Sequence, residues 1–212
     1  MRFLRFEVLK SFLPLALVLA SAPSLRAAGP AAQTQTTPGA LKMEAKTPTQ
    51  VAVLKTSAGT ITFALLPDLA PEHVKNFVDL AKSGFYDGTK FHRVIPSFMI
   101  QGGDPNTKTA EVNSWGTGNG PRRLKAEFSP PEKARHVRGM VSMARSSDPN
   151  SASCQFFIMH GDSPSLDGQY SIFGRVLSGM EVVDKIATAP VVQGTDRPVS
   201  PVTIEKATIE TK

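Results

Sequence analysis

The chain has 212 residues, of which 41% are hydrophobic and 20% are charged, a composition that suits one globular domain with short extensions. The formal net charge is +6, but residues 29–212 contain 20 basic and 17 acidic residues, a balance of only +3. Because basic residues are interleaved with acidic ones and form no run, nucleic-acid binding is not expected. The single cysteine, Cys154, excludes an internal disulfide, and the dispersed histidines lack zinc-type spacing, so no metal or other cofactor is expected.

The amino terminus has the features of a signal peptide over residues 1–22. A positively charged start precedes a short apolar core at residues 12–20 and the small residues Ala20-Ser21-Ala22. Val18-Leu19-Ala20 is an equally good cleavage signal. The alternative is a membrane anchor, but the apolar run has only about half of the roughly 20 residues that span a bilayer. We therefore expect a cleaved signal, export to the periplasm or the medium, and no membrane attachment afterwards.

Residues 23–49 are rich in Ala, Thr, Gln and Pro, and they are predicted to be a disordered linker. The domain is predicted over residues 50–212. It begins with β-type runs at residues 51–55 and 60–66, which predict a hairpin around Ser57-Ala58-Gly59. Pro71 then opens a helix with apolar residues at helical spacing, and Ser83-Gly84 ends it. His73 is predicted to be a solvated residue of this helix.

One apolar stretch with a single permanent charge occupies residues 91–104, F-H-R-V-I-P-S-F-M-I-Q-G-G-D. Its alternation predicts a strand with Phe91, Arg93 and Ile95 on one side. After a break at Pro96-Ser97, a second strand at residues 98–101 can fold back on the first. Arginine is rarely buried without a partner, which leaves two interpretations of Arg93. It is either a surface residue paired with a carboxylate or the one fixed cation on the wall of an apolar pocket.

The rest of the domain alternates short strands with turns. Strands are predicted at residues 122–128, 139–144, 155–159, 170–176 and 201–209, and a second helix at 179–187. Alternation puts Phe156 and Phe157 on opposite faces, so one belongs to the core and the other can line a pocket. The glycine-rich run at residues 116–120 lacks the Lys-Ser/Thr of a phosphate loop and is predicted to be an ordinary loop. Many short strands with two helices favour a β-barrel or a β-sandwich.

Four separated motifs resemble, in order, those of the cyclophilin family of peptidyl-prolyl cis-trans isomerases: F-H-R-V-I-P-S-F-M-I-Q-G-G-D, G-M-V-S-M-A, S-C-Q-F-F-I-M and L-D-G-Q-Y-S-I-F-G-R-V. The resemblance covers residues 51–209. It implies a mainly β fold, a closed eight-stranded antiparallel β-barrel capped by two α-helices. It also implies that the chain isomerises X-Pro bonds in proline-containing polypeptides without a cofactor.

The resemblance also assigns roles to individual residues. Arg93 takes the position of the family's catalytic arginine, with Gln101 beside it and Phe157 in the same catalytic set. Substrate contacts are expected from the rest of the proline pocket and from the stretch that binds the chain next to proline. These residues are Phe98, Met99, Ala144, Arg145, Leu166 and Tyr170.

Three positions depart from the best-known eukaryotic pattern. Tyr170 stands in place of a histidine, as it often does in bacterial members, and is not a sign of lost activity. Arg145 replaces an asparagine that acts mostly through its backbone. Ser165 stands where many members have a tryptophan that contacts the drug cyclosporin, so the resemblance implies weak cyclosporin binding.

The chemistry that this resemblance implies needs no nucleophile. Rotation about the X-Pro bond breaks amide resonance, a barrier of about 18–20 kcal/mol. In the twisted state the proline nitrogen regains a lone pair, and a guanidinium aimed at it lowers the barrier. The resulting hypothesis is an exported, monomeric isomerase. The alternatives are a proline-binding chaperone without useful catalysis, or a nucleic-acid or carbohydrate-binding barrel, which would need a basic and aromatic surface that the sequence lacks.

Overall fold

A computed structural model describes residues 50–211 of the chain. The predicted signal peptide (1–22) and linker (23–49) therefore lie outside the described residues. Within the described part, no helix is both long and apolar enough to cross a membrane. The strands and helices are β1 (Gln50–Thr56), β2 (Gly59–Leu65), α1 (Pro71–Lys82), β3 (Arg93–Ile95), β4 (Met99–Gly102), β5 (Met140–Met143), β6 (Phe156–Met159), β7 (Ile172–Ser178), α2 (Met180–Ala187) and β8 (Ile204–Thr211).

All eight strands join one antiparallel sheet in the order β3-β4-β6-β5-β7-β2-β1-β8. The prediction of a mainly β fold with two helices is confirmed, but the predicted closed barrel is wrong. The sheet is an open, curled half-barrel with β3 and β8 at its edges. The free edge of β3 is not available to β8, because the backbone N–H of Val94 donates instead to the carbonyl of Asp196 at 2.9 Å, in the segment between α2 and β8. Ahead of β3, backbone hydrogen bonds join residues 88–91 to residues 202–204 around the isolated bridge between Lys90 and Thr203, but they do not extend into a ladder between β3 and β8.

The larger hydrophobic core lies between α1 and the sheet. Phe77 of α1 is fully buried among Phe63, Tyr86, Phe156 and Phe173, with ring centroids 5.0 to 5.6 Å from its own. Edge-to-face and offset rings at these distances add to the energy of burying their apolar surface. The core thus fixes α1 and the middle strands as one unit.

A smaller cluster lies on the other face of β4, β5 and β6. It contains Met99, Ala134, Met140, Phe157, Met159 and Ile172, with Phe98, Leu166 and Tyr170 packed at its rim. Phe156 belongs to the larger core and Phe157 to the smaller cluster, which confirms their predicted separation. The smaller cluster is the part of the fold that carries the candidate site.

Helix α1 is capped by a residue far away in sequence. Ala70 at its N-cap offers no side-chain acceptor, and the Glu127 carboxylate accepts the backbone N–H groups of Glu72 and His73 at 3.1 and 3.0 Å. The same carboxylate lies 2.5 Å from Nδ1 of His73, which is fully buried. The prediction of a solvated His73 is therefore wrong, because the imidazole turns inward to meet Glu127.

Two further local predictions need correction. No strand forms over residues 122–128, where Leu124 alone pairs, in an isolated bridge with Ala152. The backbone N–H groups of Ala126 and Glu127 donate to side chains instead of to a neighbouring strand. The alternation from Phe91 to Arg93 also fails, since β3 begins only at Arg93 and Phe91 packs in the larger core.

Candidate active site

The candidate site is built on a row of side chains that crosses four neighbouring strands. Arg93 of β3 lies opposite Gln101 of β4, which lies opposite Phe157 of β6, which in turn lies opposite Ser142 of β5. Directly opposed residues of antiparallel strands point to the same face. The four side chains therefore share the face that carries the smaller cluster.

A tight turn at Pro96-Ser97 sets the register of β3 against β4. The carbonyl of Ile95 accepts the N–H of Phe98 at 3.1 Å, and Ser97 has a positive φ of 61°. Proline followed by a residue with positive φ is the pattern of a type II turn. The N–H of Ser97 donates to Nδ1 of His160 at 2.7 Å, which holds the turn in place. The predicted fold-back of the second strand onto the first is confirmed.

The row and its neighbouring loops enclose a hollow of about 100 Å³, the small hollow. Met99 and Phe157 form its buried floor, with 2% and 5% of their surface exposed. All nine residues to which the sequence resemblance assigned roles line it: Arg93, Phe98, Met99, Gln101, Ala144, Arg145, Phe157, Leu166 and Tyr170. The structure brings these residues together, and their individual roles in catalysis remain predictions.

Arg93 combines the two interpretations that the sequence left open, but it is not the one cation of the pocket wall, because Arg145 lines the small hollow as well. Its Nε donates to Oδ2 of Asp196 at 3.0 Å, so the side chain is paired with a carboxylate. The same side chain lines the small hollow. Among the described residues, the two terminal guanidinium nitrogens donate no hydrogen bond. Asp196 thus fixes one edge of the guanidinium and leaves its outer donors available.

Gln101 is held by a chain of amide hydrogen bonds that leads away from Arg93. Its Nε2 donates to Oε1 of Gln155 at 3.0 Å. The Nε2 of Gln155 donates in turn to the carbonyls of Gly116 and Gly118, at 3.0 and 2.9 Å. Gln101 therefore links β4 to the loop that contains Gly116 and Gly118, and the direct hydrogen-bond partner of Arg93 is Asp196.

Arg145 forms the outer rim of the small hollow. Its guanidinium lies 4.5 Å from the ring centroid of Tyr170, a cation–π contact. Its Nε donates to the carbonyl of Gln169 at 3.0 Å and one terminal nitrogen donates to that of Ser146 at 2.8 Å. The Tyr170 ring meets Phe157 edge-on, with centroids 5.6 Å apart. Arg145 and Tyr170 therefore extend the aromatic wall that begins at Phe157.

A sequence model described as cyclophilin type peptidyl-prolyl cis-trans isomerase/CLD matches residues 51–209, nearly all of the described part. The chain belongs to the cyclophilin family. It is 49% identical over 145 residues to a probable peptidyl-prolyl cis-trans isomerase of Brucella suis, which covers 66% of this chain and 72% of the relative. It is 44% identical over 165 residues to peptidyl-prolyl cis-trans isomerase A of Dickeya dadantii, covering 74% of this chain and 83% of that one.

A solved structure supports the same assignment. The cyclophilin type isomerase of Cryptosporidium parvum, solved in the presence of the dipeptide Ala-Pro, matches with a TM-score of 0.68 at 32% identity, over 76% of this chain and 99% of that chain. The predicted family and enzyme class are confirmed. The protein is a cyclophilin-type peptidyl-prolyl cis-trans isomerase.

Behind the small hollow, the cyclophilin has a buried hydrogen-bonded chain of Ser142, His136 and Asp167. Nε2 of His136 lies 3.0 Å from Oγ of Ser142, and its Nδ1 lies 3.0 Å from Oδ1 of Asp167. Burial lowers the pKa of His136, and the hydrogen bond to Asp167 only partly opposes this effect. Ser142 has no exposed surface, so it cannot reach a substrate as a nucleophile. The His136 ring stacks near Phe157, 6.2 Å between centroids, and so supports the floor of the hollow.

A second hollow of about 260 Å³ adjoins the first, the large hollow. The two share Gln101, Ala144 and Arg145 as a common wall. The rest of the large hollow is mostly polar: Gly116, Thr117, Gly118, Asn119, Arg123, Ser146, Ser151, Ser153, Cys154 and Gln155. An extended peptide that places one side chain in the small hollow can therefore place a neighbouring one in the large hollow.

Sequence reasoning missed Asp196 and Gln155 as parts of this cyclophilin site. Asp196 is 103 positions from Arg93, in a turn with no motif of its own, so no local pattern signals their contact. Gln155 lies inside the quoted motif S-C-Q-F-F-I-M, directly before Phe156, and its position there was the only available signal.

Residues 50–211 contain no group of three or more His, Cys, Asp and Glu side chains that could hold a metal ion. The Cys154 side chain is fully buried. Burial raises the pKa of its thiol to about 12, so the thiol stays protonated near neutral pH.

Proposed function

We propose that this cyclophilin accelerates X-Pro isomerisation in exported proteins and thereby assists their folding, with Arg93 as the group that stabilises the twisted amide. The observation that carries this proposal is the placement of Arg93. Its guanidinium lies on the wall of a hollow that has Met99 and Phe157 as its buried floor, and Asp196 anchors one edge of the guanidinium. The outer donors of the guanidinium are left for a substrate.

The proposed mechanism is differential binding of the twisted state. In the planar cis and trans states, the lone pair of the proline nitrogen is conjugated with the carbonyl and accepts hydrogen bonds poorly. At the twisted transition state this lone pair becomes available. A guanidinium donor aimed at it binds the twisted state more tightly than either planar state, which lowers the barrier. Arginine suits the task because its charge is permanent and its donors form a rigid fork.

The apolar walls serve to position the proline ring. We assign the pyrrolidine ring to the small hollow, against Phe98, Met99, Phe157 and Leu166. Excluding water there strengthens the electrostatic effect of Arg93, because the local dielectric constant is lower than in water. Tyr170 stands at the rim, where its hydroxyl can donate to a substrate carbonyl. Gln101 faces the substrate from the wall shared by the two hollows, where its side-chain amide donates a hydrogen bond to Gln155 and is held in place.

A protease-coupled assay on an X-Pro peptide tests the proposal. We expect Arg93→Ala to lower kcat/KM by about 100- to 1,000-fold, the effect of losing one preorganised donor. The matched control is Arg175→Ala, since Arg175 is exposed on β7 and lines neither hollow. Wild-type turnover by a folded Arg93→Ala variant would rule out Arg93 as the main donor. Tight peptide binding by the wild type without acceleration would favour a proline-binding chaperone instead.

The export and binding properties are supported by the sequence. The positive start, short apolar core and small residues of 1–22 support a cleaved signal and a periplasmic or secreted location. Amino-terminal sequencing of the mature chain after cell fractionation tests this proposal, and an uncleaved cytoplasmic chain refutes it. We also propose that the enzyme binds cyclosporin weakly, because Ser165 presents only a small exposed hydroxyl beside Leu166. The monomeric state expected from the sequence stays a prediction.

A further inference from the structure

The walls of the two hollows carry positive charge and no negative charge. Arg93 and Arg145 line the small hollow, Arg123 and Arg145 line the large one, and neither lining contains Asp or Glu. The charge of Arg93 is balanced by Asp196. Within residues 50–211, by contrast, Arg123 and Arg145 form no ion pair. Neither charge is therefore neutralised by a direct ion pair, and the acid behind the wall, the buried Asp104, is occupied by the backbone N–H groups of Gly116 and Gly118.

The charge of Arg145 is held in a fixed position. Its guanidinium stacks on Tyr170, and its hydrogen bonds go to the backbone carbonyls of Gln169 and Ser146, which are neutral. A cation that is already oriented loses little further conformational freedom when it binds an anion. Arg145 lies on the wall shared by the two hollows, so its field acts on both.

The acidic group in the same loop forms no ion pair with Arg145. Asp148 accepts the backbone N–H of Asn150 at 2.9 Å in its own turn and lines neither hollow. The Arg123 side chain is exposed and lines the large hollow, so it is accessible to a bound anion. The large hollow is otherwise lined by hydroxyls, amides and glycines, which accept a carboxylate without repelling it.

We propose that the large hollow selects substrates with an acidic side chain, Asp or Glu, within two residues of the isomerised proline, and that Arg123 and Arg145 are the specificity-determining residues. Because an extended chain advances about 3.3–3.6 Å per residue, a proline in the small hollow places a near neighbour in the adjoining one. This proposal rests on the proposed function, since it assumes that the proline ring occupies the small hollow.

The test uses matched peptides with one proline, in which each of the two positions before the proline and each of the two positions after it carries Glu, Gln or Lys in turn. At one of these positions and at low salt, we expect kcat/KM to be about five-fold higher for Glu than for Gln, and lower still for Lys. The Glu/Gln ratio of kcat/KM should fall toward one at about 1 M salt, where the Debye length is about 3 Å.

Variants assign the preference to the two arginines. The Glu/Gln ratio should fall in Arg123→Gln and in Arg145→Gln, and should approach one in the double variant, whatever the overall rate of each. The control Arg175→Gln should retain the wild-type ratio. A ratio near one at every position in the wild type overturns the proposal, and so does a preference that survives in the double variant.

Peptide affinity separates this proposal from the proposed function. If the wild type fails to isomerise any peptide, the proposed function fails, and the acidic preference is then decided by the dissociation constants of the same Glu and Gln peptides. Tighter binding of the Glu peptide that is lost in the double variant supports the preference. Equal affinities refute it. Equal turnover of all peptides, in contrast, refutes only the preference.

Discussion

Replacing Asp196 by alanine should slow X-Pro isomerisation while leaving the domain folded. Asp196 Oδ2 accepts the Nε hydrogen bond of Arg93 at 3.0 Å, and the two side chains are 48% and 43% exposed. An ion pair this exposed contributes at most about 1 kcal/mol to folding. The backbone contact from the Asp196 carbonyl to Val94 does not depend on the side chain. We therefore expect a loss of stability below about 1 kcal/mol.

The loss of activity should be larger than the loss of stability. A charge-assisted hydrogen bond contributes about 1.5–3 kcal/mol, and half exposure to solvent reduces this to about 1–1.5 kcal/mol. If that energy orients Arg93 for the twisted amide, its loss lowers kcat/KM by about ten-fold. Asp196→Asn keeps an oxygen acceptor and should recover most of the rate. Asp68→Ala, at an exposed acid outside both hollows, is the control.

A double-mutant cycle makes this prediction specific to Arg93. The protease-coupled assay gives kcat/KM for the wild type, Asp196→Ala, Arg93→Ala and the double variant, and denaturant unfolding confirms that each is folded. If Asp196 acts only through Arg93, its removal should change the rate less than about two-fold once Arg93 is absent. Two effects that simply multiply would refute the positioning role, as would wild-type activity of Asp196→Ala.

Three further predictions test other parts of the structure. Phe156→Ala should lower the free energy of unfolding, measured by urea denaturation, by about 3–5 kcal/mol, because Phe156 lies in the larger core. Phe157→Ala should destabilise the protein less but lower kcat/KM about ten-fold or more, because Phe157 lies in the smaller cluster at the site. The reverse pattern would contradict the assignment of the two residues to opposite faces. Burial lowers the pKa of His92, so the unfolded state binds more protons just below pH 6.5. The free energy of unfolding should therefore fall as the pH drops from 7.5 to 5.5, and more steeply than in His92→Gln. Gly179 and Gly194 both have a positive φ, but only at Gly179 would an added Cβ collide with the backbone of β2. Gly179→Ala should therefore lower the free energy of unfolding clearly more than Gly194→Ala in the same measurement.

The site was predictable to the extent that it depends on local strand geometry. Alternation separates Phe156 from Phe157, and the Pro96-Ser97 break predicts the hairpin that places Arg93 opposite Gln101. These relations follow from the two-residue period of a strand and from the turn chemistry, both of which short motifs contain. The resemblance to the family, carried by the four motifs, then named all nine residues that line the small hollow, including Arg145 directly after the second motif.

The parts that were not predictable depend on long-range contacts. Asp196 reaches Arg93 across 103 positions, and Glu127 caps α1 from 54 positions beyond His73. Hydrophobic periodicity places His73 on a helix but does not show that a distant carboxylate draws it inward. The prediction that the sheet closes into a barrel failed for the same reason. The segment around Asp196 takes the free edge of β3, and nothing in β3 itself signals this competitor.

NMR exchange spectroscopy on an X-Pro peptide, at matched fractions of peptide bound, tests most directly whether Arg93 stabilises the twisted amide. We expect rapid cis/trans exchange of the peptide with the wild type. With Arg93→Ala, we expect exchange slower by about 100-fold or more, while the dissociation constant of the peptide changes much less. Equal exchange rates for the two proteins at the same occupancy would show that Arg93 does not stabilise the twisted amide.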